Sequence, residues 1–146
     1  MSVRVGDRDE GKLRVIEAMR KLMVYTHDRV KSDNFPKSER WITAKQIWDA
    51  CADAHANILK ANGIRVENQL DAQERLLAEK IAIGRLDYMI ALIDICNQIG
   101  MVSNDQAEYW TGLATNAQNM AKAWLKSQRT MYKSYLAPLL SDATPS

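Results

Sequence analysis

Between residues 110 and 131, Trp110, Leu113, Ala117, Met120, Trp124, Ser127 and Met131 recur at alternating steps of three and four. Steps of that size gather side chains on one side of a 3.6-residue turn, whereas a strand would scatter them over both of its faces. The same periodicity runs through most of the chain, and no alternating apolar–polar run of useful length competes with it. Only six glycines and three prolines punctuate 146 residues, so the elements should be long. The pattern predicts an all-α fold.

Four helices are expected. The first spans roughly residues 9–31, with Leu13, Ile16, Met19, Met23 and Val30 on its apolar face, and is stopped by Phe35-Pro36. The second opens at Thr43-Ala44-Lys45-Gln46, which has capping-box spacing. Ile47, Ala50, Cys51, Ala54, Ile58 and Ala61 then form a face small enough for a neighbouring helix to come close. Gly63 is expected to end it in the left-handed region. A second strip, Trp48, Ala52, His55 and Leu59, lies beside that face, so this helix serves either a broad core or a core plus an interface.

Asp71-Ala72-Gln73-Glu74 reads as the cap of the third helix, with Leu70 as its staple and Leu77, Ile81, Gly84, Tyr88, Ala91, Leu92 and Ile95 as its inner face. Gly100 closes it, and Ser103-Asn104-Asp105-Gln106 caps the fourth helix, which Pro138 is expected to break. Helices of about 20–30 residues on short connections predict an up-down-up-down four-helix bundle. The expected division is a flexible segment at 1–8, the bundle at 9–137 and a flexible tail at 138–146.

Chemistry is sparse. No apolar run is long enough to cross a membrane, no secretion signal opens the chain, and Cys51 and Cys96 sit in apolar helical patterns as buried reduced thiols; a cytoplasmic protein is expected. Bundle metal sites use Glu-x-x-His on two helices, and no such pair occurs; His27 and His55 stand alone. Asp87 and Asp94 flank the expected apolar face of the third helix, which suits a solvated face better than a magnesium site. With no phosphate-binding glycine loop and no nucleophile motif, the reading is a non-enzyme without metal or cofactor.

Charge is more informative. Residues 11–48 carry nine basic and four acidic side chains, and residues 51–108 five and nine. Lys122, Lys126, Arg129 and Lys133 form a ribbon, and no acid lies between Glu108 and Asp142. Arg20, Lys21 and Lys31, with His27 among them, offer a weaker ribbon on the first helix. Together they are the candidate contacts for a polyanion. Trp110 and Trp124, on the heptad, belong to the core or to a subunit interface by their spacing. Trp41 and Trp48, with Ala52, His55 and Leu59, are the candidate interface.

The stretch NFPKSERWITAKQIWDACADAHANI, residues 34–58, resembles the signature of a family of small four-helix bundles through Phe35, Pro36, Arg40, Gln46, Ile47 and Asn57. That family includes the ribosomal-RNA intervening-sequence proteins and the accessory variability determinant of diversity-generating retroelements. The likeness continues through residues 75–103 and a closing helix with Trp124-Leu125-Lys126. It implies a ring-shaped homopentamer that binds RNA and the retroelement's reverse transcriptase in mutagenic copying, and performs no chemistry itself. The alternative is an intervening-sequence type of scaffold that binds a protein partner and no nucleic acid.

Overall fold

A computed structural model describes the backbone of residues 5–31 and 35–142, and the side chains of residues 11–31 and 35–137. The chain is all-α, with no strand among the described residues. Four long helices, α1 (Val5–Val30), α2 (Lys45–Gly63), α3 (Gln69–Gln98) and α4 (Asn104–Met131), are followed by a short α5 (Lys133–Asp142). Each long helix packs on its neighbours in the chain, α4 closes back onto α1, and α5 rests on α3 and α4.

The corner before α2 is built from the residues that carry the resemblance. Phe35 is fully buried, and the Arg40 Nε donates to its carbonyl at 3.1 Å. The Pro36 carbonyl accepts from the amides of Glu39 and Arg40, starting a single helical turn, Lys37–Glu39. A π-helical turn, Arg40–Ala44, then leads directly into α2. The expected capping box is therefore absent: Thr43 lies inside continuous helix, and its hydroxyl donates to Glu39 Oε2 at 2.7 Å. Asn34 lies outside the described residues.

The small face of α2 is buried as expected, from Ile47 through Ala50, Cys51, Ala54 and Ile58 to Ala61. Ala78 and Ala82 on α3 are buried too, and α2 and α3 form the most extensive helix pair. Alanines on both sides let two helices approach closely without a cavity. Gly63 is simply the last residue of α2; the sole positive φ among the described residues belongs to Gly100, at 84°.

The other helices depart from the expected faces. On α1 the buried row is Val15, Ala18, Met19, Leu22 and Thr26, while Leu13 is exposed. On α3 the difference is larger. Ala72, Leu76, Glu79, Leu86, Met89, Ile93 and Cys96 face inward, and Leu77, Ile81, Tyr88 and Ile95 face out, leaving only Leu92 of the large expected inner residues buried. This helix is apolar on both sides, and the inner side contains alanines and a glutamate, so residue size points the wrong way. Its cap also lies earlier, where Asn68 accepts from the Asp71 amide and Asp71 accepts from the Glu67 amide, both across about one turn. Leu70 is exposed and clips nothing.

Gly100 ends α3 as expected. Its amide donates to the Asn97 carbonyl and the Met101 amide to that of Cys96, a paired closure that needs a left-handed residue between them. The Ser103/Gln106 capping box is present in both directions. Within α4, Trp110, Ala117 and Trp124 are buried, but Ser127 is exposed and Gln118 and Gln128 take inner positions. The helix breaks at Tyr132 rather than at Pro138, and α5 runs on through residue 138. Likewise α1 already runs from Val5, inside the segment expected to be flexible.

Candidate polyanion-binding surface

Lys122, Lys126 and Arg129 project from the outer side of α4, all exposed. Exposed lysines three and four apart on a helix form a continuous row at one-turn spacing. Lys133 lies beyond the break at Tyr132, as the first residue of α5, so the four cations do not share one helix. Arg129 and Lys133 nevertheless meet again on one trough of about 500 Å³, lined also by Lys80 and by Leu76, Leu77 and Leu136. No carboxylate lines it.

The α1 cations occupy separate ground. Arg20 and Lys21 lie on a shallower depression with Tyr109 and Leu113 of α4, where Asp28 also contributes a carboxylate. Arg20 is paired with Glu17 at 3.4 Å. Lys31 follows the end of α1 and is exposed. The two ribbons thus line separate depressions and do not merge into one cationic track.

Adjacent in sequence to residues that line the trough is a group of polar side chains that the sequence does not advertise. Arg75 donates to the Ile64 carbonyl at 2.8 Å and to Gln128 Oε1, and its guanidinium lies over the rings of Trp124 and Tyr132 at 5.4 and 5.7 Å. Gln128 is buried. Glu79, on the same helix as Arg75, is fully buried, and neither carboxylate oxygen has a hydrogen-bond partner. Burial pushes its carboxyl up to about 7, against the opposing pull of Arg75 and then Arg129. Arg75 and Gln128 are 53 residues apart. Pairing over that distance leaves no local spacing signal, which is why sequence reasoning missed both.

The candidate interface residues divide. Trp41 is 80% exposed on the π-helical turn, next to exposed Ile42. Leu59 is exposed as well. Trp48, Ala52 and His55 are half-buried, and the Trp48 ring meets His27 edge-on at 5.9 Å, a contact within the chain. Trp110 and Trp124 are core residues; the Trp110 indole donates to the Thr26 hydroxyl at 3.0 Å.

Both cysteines are buried and free, and burial pushes the Cys51 thiol up to about 12 and the Cys96 thiol up to about 11, which keeps both as unreactive thiols at neutral pH. Among the described residues no group of three or more His, Cys, Asp or Glu could hold a metal ion, and no helix is long and apolar enough to cross a membrane. Compared with known protein families, curated proteins and solved structures, the chain matches none.

Proposed function

We propose that this chain is a non-enzymatic accessory protein that assembles with copies of itself and holds RNA at its cationic edges. In its full form the reading is an up-down-up-down four-helix bundle, closed into a ring of five, serving the reverse transcriptase of a diversity-generating retroelement. The observation that carries the RNA part is the exposed row Lys122, Lys126 and Arg129, continued by Lys133, with no acid between residues 109 and 141 to neutralise it. A net charge of +2 makes one copy a weak polyanion binder. Repetition around an assembly would multiply such contacts through effective concentration. The corner formed by Phe35, Pro36 and Arg40, on which the family resemblance rests, supports the retroelement reading.

Phosphate contacts release counterions, so RNA retention on a filter should fall steeply between about 50 and 200 mM salt. Charge reversal at Lys122 and Lys126 should weaken retention at least tenfold while changing stability by under about 1 kcal/mol. Retention that ignores salt, or survives that reversal, would refute the RNA reading. A second reading, a scaffold for a protein partner, is favoured by the exposed Trp41 and Ile42. Nucleic acid co-eluting with the purified chain selects the first reading, and a protein-only absorbance spectrum the second.

A further inference from the structure

Helix α3 spends a glycine where its own chain has no use for one. Glycine in a helix interior costs about 1 kcal/mol relative to alanine. A Cβ built on Gly84 meets nothing within 4 Å, and Gly84 has ordinary helical backbone. The glycine lies in the middle of the outward stripe of α3, where Leu77 is 56% exposed, Ile81 40%, Tyr88 42% and Ile95 54%, with Ala91 between the last two. These positions alternate by three and four, the seam of a helix that packs on another helix.

Charge along one flank of that seam is polarised. Lys80, Asp87 and Asp94 follow one another at seven-residue steps, so they share a side. The cationic end is reinforced by Arg129 and Lys133, which share the apolar trough with Lys80 and Leu77. Lys80 and Asp94 make no ion pair among the described residues. On the opposite flank Arg85 is already neutralised by Asp53 at 3.0 Å.

We infer that α3 pairs antiparallel with α3 of a second copy of this chain. A two-fold axis beside Leu86 sets Leu77 against Ile95 of the second copy, Ile81 against its Ala91, and Tyr88 over its Gly84. Large residues then meet small ones or one another's ends, and the glycine is the seat for the tyrosine. The same axis brings Lys80 between Asp87 and Asp94 of the second copy, twice per pair. Asp87, hydrogen-bonded to Gln118 in its own chain, comes near its counterpart, so the flanking lysines are needed for the approach. A parallel pair would instead face Lys80 with Lys80 and Asp94 with Asp94, which charge disfavours. Another exposed apolar knob, Trp41 and Ile42, fits the trough less well, because Lys37, Arg40 and Lys45 around it outnumber Glu39 and Asp49.

The inference rests only on the self-association part of the proposed function, and a two-fold contact differs from the five-fold contact of a ring. Full-length chain is measured by sedimentation and light scattering across micromolar concentrations. Gly84→Leu should weaken pairing at least tenfold while leaving the helical circular dichroism and Tm intact or higher. Lys80→Glu and Asp94→Lys should each weaken it about tenfold, and the double exchange should restore it to within about threefold. A mass of two copies that Gly84→Leu reduces to one supports the pairing and sinks the ring. A mass of ten that Gly84→Leu reduces to five supports both. A five-copy mass, or any association indifferent to Gly84→Leu, overturns the pairing, and failure of the double exchange to rescue overturns its antiparallel sense.

Discussion

The two core tryptophans of α4 sit in opposite kinds of surroundings. Around Trp110 the contacts are mostly aromatic and neutral: its indole bonds Thr26, Tyr25 meets its ring edge-on at 6.0 Å, and Cys51 donates to the Met23 sulfur. Around Trp124 the neighbours are charged and only partly matched. Arg75 lies over the ring, Gln128 is buried beside it, and Glu79 is enclosed nearby with both oxygens unpartnered. Shallow cavities touch Trp124 from two sides, one lined by Gly11, Met120 and Gln128, the other by Lys12, Asn62 and Arg75. Apolar and hydrogen-bonded neutral groups are favourable to bury, whereas an unpartnered carboxylate is costly. The region around Trp110 stabilises the fold. The region around Trp124 works against it and is tied to the cationic trough through Arg129, whose charge acts on Glu79.

The contrast can be broken most forcefully at Trp110. Trp110→Ala should cost about 3–5 kcal/mol by urea denaturation, because it opens a large void beside buried apolar neighbours. A loss under about 1 kcal/mol would mean that the region around Trp110 is not the keystone. Next comes Glu79→Gln. A carboxyl whose folded pKa is raised binds its proton more tightly in the folded chain, so stability falls as pH rises from the ordinary carboxylate range to about 7 and stays low above it. The variant should therefore be more stable than the parent at pH 8, by up to about 3 kcal/mol, with the gain shrinking towards pH 5. Equal Tm values for the two chains across pH 5–8 would show that Glu79 bears no strain. The smallest effect is Thr26→Val, which keeps the shape but strands the indole N–H, at a cost of about 1–3 kcal/mol. Unlike Glu79→Gln, its effect should not vary with pH between 5 and 8, and that difference sharpens the comparison.

What the sequence made legible followed from how many faces each helix uses. On α2 one face is small and apolar while Lys45, Asp49, Asp53 and Lys60 mark the outside, so the buried set from Ile47 to Ala61 could be read directly. On α3 the outward stripe is also apolar, and its larger residues drew the inner face to the wrong side. A single chain gives no signal for choosing between two apolar faces when one of them is free for another molecule. Caps at Ser103 and the Gly100 turn were legible because their chemistry is local. The Thr43 box failed because the same residues continue a helix already begun at Lys37. The cationic row was visible as spacing. Its trough depends on α5 folding onto α3, a contact between segments far apart in the chain.

The wide turn at residues 40–44 has a consequence for how this corner can change. There the Lys45 amide reaches back five residues to the Arg40 carbonyl, one more than an ordinary helix spans. Deleting a single residue in that segment would let it relax into regular helix with little change of phase on either side, because four α-helical residues turn the chain about as far as the five of the wide turn. Phe35 would keep its seat and α2 its small face. A one-residue change of length is absorbed within this corner, where in a regular helix it would rotate everything beyond it.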